Sequence, residues 1–311
     1  MFKDIKQVMK DSVLYGIGNV AVKLVGFILI PLYTDAEYFS TADYGLMGLL
    51  EVTSQILIAV MGLSLYSGLI RWYWDAEYRD KQKTIFFTTL LFTILTSLCI
   101  GSVLWLNVGE LSALLVQQEG YSLGGELPYI LQLLILTSML GAVVEVPQNL
   151  LRLQRKPIYY SLTNIVRLFA TLVLTIYFTI SLHRGVSGVY EAQLVGIVIQ
   201  LLMVLPLVIK NSSCRVDRKC TIQLLVYSYP LVFPAIVGSL LTVFDRYIIN
   251  HFQGLDDVGF YSLGYKVGNT LKVFIVTSVQ LALTPLLMKK MNDPDNKRFY
   301  SKVLTYFSFG L

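Results

Sequence analysis

The chain has 311 residues, of which 55% are hydrophobic and only 14% are charged. Soluble domains average about 25% charged residues, so this composition excludes a soluble protein and indicates a membrane protein. The net charge of +5 does not indicate a nucleic-acid-binding protein, because the positive residues lie in short gaps between apolar stretches and form no polar domain.

Apolar stretches of roughly 20 residues predict eight membrane-spanning helices, and a ninth stretch begins near residue 298. The predicted spans are 12–34, 44–70, 84–106, 129–151, 157–181, 187–209, 222–250 and 258–284. Pro230 and Pro234 lie inside the seventh span and predict a kink there. Because the chain ends at Leu311 within an apolar stretch, we expect it to be a fragment of a longer protein.

Lysine and arginine occur mainly in alternate gaps between the predicted spans. These residues are Lys3, Lys6, Lys10, Arg71, Arg79, Lys81, Lys83, Arg152, Arg155, Lys156, Lys210, Arg215, Arg218, Lys219, Lys289, Lys290, Lys297 and Arg298. The other gaps hold only Arg184 against eight acidic residues. Positive gaps face the cytoplasm, so the pattern predicts a multi-pass membrane protein with a cytoplasmic N-terminus.

Residues 13–53 and 227–267 follow the same plan: a long apolar helix, an acidic loop, an Asp-x-Gly sequence and a new helix. They align at a shift of 214 positions. The shift pairs identical residues, namely Tyr15 with Tyr229, Ala21 with Ala235, Tyr33 with Tyr247, Asp43 with Asp257 and Gly45 with Gly259. Six spans separate the two copies, so both run outward from the cytoplasm and the predicted repeat is parallel, with its axis along the membrane normal.

We therefore predict an all-α polytopic membrane protein in which a six-helix bundle is repeated in parallel. Residues 1–209 form an N-terminal lobe with six transmembrane helices, and 210–221 form a cytoplasmic loop between the lobes. Residues 222–311 begin the C-terminal lobe, which is truncated after two complete helices and part of a third.

Several charged residues lie within the predicted spans, where each costs about 2.5–3.5 kcal/mol near the bilayer centre unless it faces protein or water. They are Lys23, Arg167, Arg246, Lys266, Lys272, Glu51, Glu145 and Asp245. On the first, second, fourth, fifth, seventh and eighth spans, polar residues share a helical face with them. These stripes predict a shared hydrated interior, although Lys272 points about 120° away from Lys266 and fits no stripe.

Cations outnumber acids in this set, which predicts an anionic ligand, and phosphate is the commonest such anion. Lys23, Arg167 and Lys266 are the strongest candidates for ligand contact. Arg246 is a further cavity cation, but its neighbour Asp245 is a candidate local partner.

Glu51 and Glu145 are candidates for an ion-coupling carboxylate. The alternative is that the polar stripes form helix–helix hydrogen bonds. In that case Glu51 or Glu145 neutralises Lys23 or Arg167 in a structural pair.

The sequence carries no arrangement typical of catalysis or cofactor binding. It lacks GxxxxGK[ST], the motif of P-loop ATPases. His183 and His251 lie singly in outer loops, and Cys99, Cys214 and Cys220 match neither a disulfide framework nor a zinc site. We predict a protein that is not an enzyme and has no cofactor, metal site or catalytic residue.

The chain resembles the polysaccharide-biosynthesis (O-antigen) flippases of the multidrug/oligosaccharidyl-lipid/polysaccharide (MOP) exporter superfamily. The segments that carry the resemblance are LYGIGNVAVKLVGFILIPLYT, DYGLMGLLE, RLQRKPIYYSLTNIVRLF and FDRYIINHFQGLDDVGFYSLGYKV. The resemblance implies a MATE-like architecture of 12–14 helices in two lobes around a central cavity. It also implies movement of lipid-linked oligosaccharides between the membrane leaflets by alternating access.

On this basis we expect a flippase of the inner membrane that moves a polyprenyl-pyrophosphate-linked glycan from the cytoplasmic to the periplasmic leaflet for polysaccharide or lipopolysaccharide biosynthesis. Its expected partners are the lipid bilayer, the glycan carrier and, as candidates, a polysaccharide polymerase and glycosyltransferases, with no nucleic acid. One alternative is a cation-coupled multidrug exporter, which should show surplus carboxylates in its cavity. Another is a non-transporting scaffold of glycan assembly or a membrane glycosyltransferase, and the latter would need acidic pairs at an interface.

Overall fold

The computed structural model describes residues 28–115, 125–213 and 215–272, and a few positions between 297 and 305. Every regular element within these residues is helical. In chain order the helices are α1 (Ile30–Tyr33), α2 (Thr41–Gly62), α3 (Leu65–Trp72), α4 (Gln82–Leu106), α5 (Val108–Leu115), α6 (Leu127–Leu153), α7 (Pro157–Ile176), α8 (Gly185–Asn211), α9 (Arg218–Phe252) and α10 (Leu255–Lys272). A short 3-10 helix (Ala76–Lys81) precedes α4, and a π-helical turn (Tyr177–Ser181) continues α7.

Six helices of the described part are long and apolar enough to cross a membrane, which confirms an all-α multi-pass membrane protein. Four of them contain the predicted spans 84–106, 129–151, 157–181 and 187–209. A fifth is the apolar part, Arg218–Leu241, of helix α9, and α9 as a whole contains the predicted span 222–250. Helix α10, where the eighth predicted span begins, is too polar to count among the six. Most of the first predicted span and the later part of the eighth lie outside the described residues.

Local sequence signals explain where several helices begin. Ser40 and Asp43 form a capping box at α2, in which the Ser40 hydroxyl accepts from the Asp43 N–H at 3.1 Å and Asp43 Oδ2 accepts from the Ser40 N–H at 2.9 Å. Pro157 stands at the first position of α7, where a helix tolerates its missing N–H. The Asp217 carboxylate caps α9 by accepting from the N–H groups of Lys219 and Cys220.

The second predicted span, 44–70, is not one continuous helix. It breaks at Leu63 and Ser64, whose φ angles of 44° and 51° lie in the left-handed region that non-glycine residues rarely adopt. The break is held by two side-chain bonds across helices, since Thr96 Oγ1 donates to the Met61 carbonyl at 2.8 Å and Ser64 Oγ donates to the Leu231 carbonyl at 3.3 Å. Helix α9, by contrast, runs through Pro230 and Pro234 without losing its helical conformation.

Helix α6 is the centre of the first bundle. It packs against α2, α4 and α8, and α8 packs in turn against α7. Ile130, Leu131 and Ile135 of α6 are completely buried in the core between these helices. The polar residues of the fourth and fifth predicted spans meet further along α6, where Gln148 contacts Thr163 of α7.

Helices α2 and α10 approach each other at backbone distance. A Cβ added to Gly45 would lie 1.9 Å from the Leu255 carbonyl oxygen, and one added to Gly259 would lie 2.5 Å from the Thr41 carbonyl oxygen. Only glycine fits at such a crossing, which is typical of helix packing in membranes. The two helices run parallel here, because Gly48, one turn further along α2, meets Ser262, one turn further along α10.

These contacts follow the shift of 214 positions found in the sequence. Under this shift Gly45 corresponds to Gly259, and Thr41 corresponds to Leu255. Gly45 lies against Leu255 and Gly259 lies against Thr41, so the same contact occurs twice with the two copies exchanged. Such reciprocity is what a two-fold axis produces. The contacts support a parallel repeat, with its axis passing between α2 and α10.

The crossing of α2 and α10 can be tested with two glycine variants. Gly45→Ala is expected to destabilise the protein by about 1–3 kcal/mol or more, because the added methyl group forces the helices apart. Gly264→Ala on α10 is the matched control, since nothing lies within 4 Å of an added Cβ there. That control is expected to gain about 0.5–1 kcal/mol, as alanine favours a helix over glycine. Thermal unfolding midpoints in detergent compare the variants, and an unchanged midpoint for Gly45→Ala would contradict the close contact.

Candidate functional site

The structure brings some of the predicted site residues together and separates others. Arg167 and Glu145 line one cavity of the first bundle, whereas Arg246 and Lys266 lie where α2, α9 and α10 meet. Lys23 lies outside the described residues. The predicted cations thus form two groups in the described part of the chain.

The first group belongs to what we call the arginine cavity, a space of about 290 Å³ between α2, α6, α7 and α8. The described part of its lining is mostly polar and contains Arg152 and Arg167 together with one carboxylate, that of Glu145. The remaining polar lining residues are Ser54, Thr137, Gln148, Asn149, Tyr160, Asn164, Gln193 and Gln200.

Arg167 is half-buried and is held by an amide chain. Its Nη1 donates to Gln200 Oε1 at 3.1 Å, and Gln200 Nε2 donates to Asn164 Oδ1 at 2.9 Å. No carboxylate of the described residues lies within 4.0 Å of its guanidinium nitrogens. A guanidinium has five N–H donors, so most of the donors of Arg167 remain available to a ligand.

Glu145 is half-buried on α6 and forms no ion pair within 4.0 Å in the described part of the chain. Its Oε2 lies 3.9 Å from the position that a Cβ on Gly62 would take, so the carboxylate stands beside the end of α2. Arg152, two turns further along α6, is near enough to act on its charge. The structural pairing of Glu145 with Arg167 that the sequence left open is therefore not formed.

Glu145 also lines a second space, which we call the break cavity. This cavity of about 400 Å³ lies between the break after α2 and the proline-containing part of α9. Its polar lining residues are Gln55, Ser64, Tyr66, Glu145 and Ser239. Of the lining residues that the structure describes, Ile58 and Glu145 line both cavities.

The second group of cations forms what we call the interface cluster. Arg246 is buried, with its Nε donating to Ser262 Oγ at 3.3 Å and its guanidinium 4.7 Å from the ring centre of Tyr265. Lys266 Nζ lies 5.5 Å from the ring centre of Tyr33 and 5.9 Å from that of Tyr44. Both are cation–π geometries.

The expected local pair of Arg246 with Asp245 forms only through the main chain. The Arg246 N–H donates to Asp245 Oδ1 at 2.9 Å, while Asp245 Oδ2 accepts from the hydroxyl of Tyr261. Glu51 is exposed and lies within electrostatic range of the hydroxyls of Tyr33 and Tyr44. It lines neither of the two cavities described above.

The polar stripes predicted for the fourth and fifth spans face each other as expected. Gln148 Nε2 donates to Thr163 Oγ1 at 2.9 Å, and Asn149 and Asn164 both reach the arginine cavity. Sequence reasoning missed Gln193 and Gln200 on α8. Their spacing of seven residues places them on one helical face, which is the signal that could have found them.

Nothing among the described residues suggests a metal centre of histidine, cysteine and carboxylate ligands, since no group of three such side chains comes together there. The arrangement instead offers cationic donors and neutral amides, which suit the binding of an anion.

Comparison with known proteins gives a family and a fold. A family model described as "Polysaccharide biosynthesis protein" matches residues 8–291. No curated protein matches the chain.

Several solved transporter structures are similar to the chain. The MATE multidrug transporter DinF-BH has a TM-score of 0.72 at 15% identity, with 98% of this chain and 71% of that chain covered. The MATE transporter VcmN of Vibrio cholerae has a TM-score of 0.63 at 16% identity, with 92% and 66% covered.

A MOP superfamily transporter from Pyrococcus furiosus, whose binding pocket of reverse polarity suggests a different function, has a TM-score of 0.66 at 14% identity. It is covered over 70% of its length, and this chain over 97%. The chain thus spans about two thirds to 71% of these three transporters, and at such identities the likeness shows the fold alone.

The two groups of cations are expected to respond differently to truncation. Arg246→Ala should lower stability by roughly 2–4 kcal/mol, because it removes a buried charged hydrogen bond and a cation–π contact. Arg167→Ala should lower it much less, since that side chain projects into a polar cavity with a single protein acceptor. The thermal unfolding midpoints of both variants are compared in detergent with that of the wild-type protein. Equal decreases of the midpoint in the two variants would show that Arg167 is a structural residue too.

Proposed function

Because the chain belongs to the polysaccharide biosynthesis protein family of the MOP superfamily, we propose that it is a flippase for a polyprenyl-pyrophosphate-linked oligosaccharide. The substrate moves from the cytoplasmic to the periplasmic leaflet of the inner membrane and serves polysaccharide or lipopolysaccharide biosynthesis. The family and its MATE-like fold are those of membrane transporters, and the choice of substrate is our proposal.

The observation that supports the proposal most directly is that Arg167 has no counter-ion among the described residues. It is a half-buried cation inside a membrane protein, and no carboxylate of the described residues neutralises it at ion-pair distance. Burying such a charge is costly unless a partner compensates for it. An anionic ligand supplies that partner, and a planar guanidinium with free N–H groups suits the oxygen atoms of a pyrophosphate.

The composition of the cavity favours an anion over a cation. Arg152 and Arg167 face one carboxylate, Glu145, so the lining has an excess of positive charge. The surrounding amides and hydroxyls can bond to sugar hydroxyl groups as well as to phosphate. A multidrug exporter of cationic compounds would need the opposite balance, although the likeness to DinF-BH keeps that alternative open as a second candidate.

The orientation expected from the basic gaps agrees with loading from the cytoplasm. Arg152 is one residue from the end of α6 that the charge pattern assigns to the cytoplasmic side, and it is exposed. Arg167 lies ten residues inside α7, about 15 Å from the same side. A phosphate group that enters from the cytoplasmic leaflet would meet Arg152 first and Arg167 next.

We further propose that residues 1–209 and 222–311 belong to the two lobes of the transporter and that 210–221 connect them on the cytoplasmic side. Lys23, Arg246 and Lys266 are then additional cations on the translocation route, and Glu51 and Glu145 are the carboxylates that couple it to an ion gradient. A polysaccharide polymerase and glycosyltransferases remain its proposed partners.

The test uses Gln200→Glu, a variant of nearly unchanged shape. Gln200 Oε1 accepts from Arg167 at 3.1 Å, so a carboxylate there becomes an internal counter-ion and competes with the ligand. We expect transport to fall by about 10- to 100-fold, the equivalent of one or two charge-assisted hydrogen bonds. Arg167→Ala should have the same effect.

Activity is measured by complementation of a strain that lacks its own flippase, with surface glycan and accumulated lipid-linked precursor as the two readouts. Gln253→Glu is the matched control, because it adds the same charge at an exposed position after α9. Full surface glycan in Gln200→Glu and in Arg167→Ala, at normal protein levels, would refute an anion site at Arg167 and favour a scaffold role.

A further inference from the structure

We infer that the deep end of the arginine cavity is a subsite for an uncharged sugar, and that Gln193 is the residue that recognises this sugar. The deep end is the part of the cavity around Thr137 and Gln193. The sugar is the one joined directly to the phosphate group that Arg167 binds. The inference rests on the proposed function, because it assigns the second half of the same ligand and the direction in which that ligand lies.

Charged and neutral residues line the cavity at different depths, counted from the helix ends that the charge pattern assigns to the cytoplasm. Arg152 is one residue from the end of α6, Glu145 lies about 12 Å inside α6, and Arg167 lies about 15 Å inside α7. Thr137 lies about 24 Å inside α6, and Gln193 lies about 27 Å inside α8. The described lining therefore carries its charges in the cytoplasmic part and neutral side chains at the deep end.

Gln193 is a half-buried amide without a partner. It lines the cavity, and its side chain forms no hydrogen bond with another described residue. Gln200, two turns along the same face of α8, is by contrast bonded to both Arg167 and Asn164. An amide offers two N–H donors and an oxygen with two lone pairs, so Gln193 keeps its whole hydrogen-bonding capacity for a ligand.

Two further lining residues of α6 have an unpaired oxygen. Thr137 Oγ1 and Gln148 Oε1 are buried and have no hydrogen-bond partner in the described part of the chain. The amide of Gln148 is oriented by Thr163, whose hydroxyl donates to the Tyr160 carbonyl at 2.9 Å and therefore accepts from Gln148 Nε2. Native proteins leave few buried polar atoms unpaired, so these oxygens indicate a ligand that brings hydroxyl or N–H donors.

The distance between the charged part and the deep end suits a phosphate group joined to one sugar. Gln193 and Gln200 are seven residues apart on α8, which is about 10 Å along the helix. Gln200 accepts from Arg167 at 3.1 Å and so marks the depth at which the phosphate group binds. A sugar ring linked to a phosphate group, with a hydrogen bond at either end, spans a distance of this order. A phosphate group at Arg167 therefore places the first sugar beside Gln193.

The lining of the deep end favours an uncharged sugar over a charged one. Its described residues, Ser54, Thr137, Gly141 and Gln193, include no acid or base. The Ser54 hydroxyl is already bonded to that of Ser138 at 2.9 Å, so Gln193 and Thr137 supply the unused polar groups. Hydroxyl and acetamido groups of a sugar can both bond to an amide, whereas a charged sugar would lack a counter-ion there.

The subsite is tested by calorimetric titration of the purified protein in detergent. The probes are glucose 1-phosphate and N-acetylglucosamine 1-phosphate, which carry a sugar on the phosphate group, and methyl phosphate, which carries none. The wild-type protein is expected to bind at least one sugar phosphate about 3- to 10-fold more tightly than methyl phosphate, as one added hydrogen bond provides. Gln193→Leu should abolish this preference and leave the affinity for methyl phosphate unchanged.

Gln253→Leu is the matched control, because it makes the same change at an exposed position after α9 and should keep the preference. Gln193→Met, which keeps the length of the side chain, replaces Gln193→Leu if that variant fails to fold. The ratio of the two affinities is the decisive readout, since a purely structural role of Gln193 would weaken the binding of all probes alike.

An unchanged preference in the Gln193 variant would overturn the sugar subsite, and so would equal binding of all three probes to the wild-type protein. If methyl phosphate binding is lost in Arg167→Ala while Gln193→Leu changes nothing, the anion site stands and the sugar subsite fails. If no probe binds to the wild-type protein, or if Arg167→Ala binds methyl phosphate as the wild type does, the anion site at Arg167 fails, and the sugar subsite fails with it.

Discussion

The contact between α2 and α10 decides which side chains the two copies of the repeat present to each other. Because Gly45 and Gly259 have no side chains, the helices approach until backbone touches backbone, and the residues on either side are held at short range. Gly48 continues this seam by receiving Ser262, whose hydroxyl in turn accepts from Arg246. A single Cβ at the crossing would move the interface cluster as a whole, since its members lie on the helices that the glycines bring together.

The symmetry of this contact makes the differences between the two copies informative. Tyr33 packs under Lys266, whereas its counterpart Tyr247 shares a 2.7 Å hydrogen bond with Thr53. The counterpart of Lys266 under the same shift is Val52, that of Arg246 is Leu32, and that of Tyr265 is Glu51. At these three pairs of positions the second copy holds the two cations and the first holds a carboxylate. Because the paired positions carry different residue types, the two symmetry-related helix surfaces differ in charge.

The sequence predicted the helices well, because hydropathy, capping residues and helix-starting prolines are local signals. It also predicted that Glu145 and Arg167 face a common polar interior, since their stripes have helical spacing. The break at Leu63 and Ser64 was not predictable in this way, because neither residue is a glycine or proline, and the bonds that hold the break come from Thr96 and Leu231, which are distant in sequence. The same holds for the separation of the cations into two groups, which depends on how the helices cross.

Helix rise places the ionisable residues at successive depths if the basic gaps face the cytoplasm. Glu145 lies about 12 Å from the cytoplasmic end of α6, Arg167 about 15 Å from that of α7, and Lys266 about 16 Å from the outer end of α10. In a hydrocarbon layer about 30 Å thick, Arg167 and Lys266 therefore lie near the same mid-depth. In the proposed transport, a phosphate group that passes from one to the other would have to move sideways between helices, and not along the membrane normal. Because α2 and α10 touch at backbone distance beside Lys266, we expect such a step to require that this contact loosens.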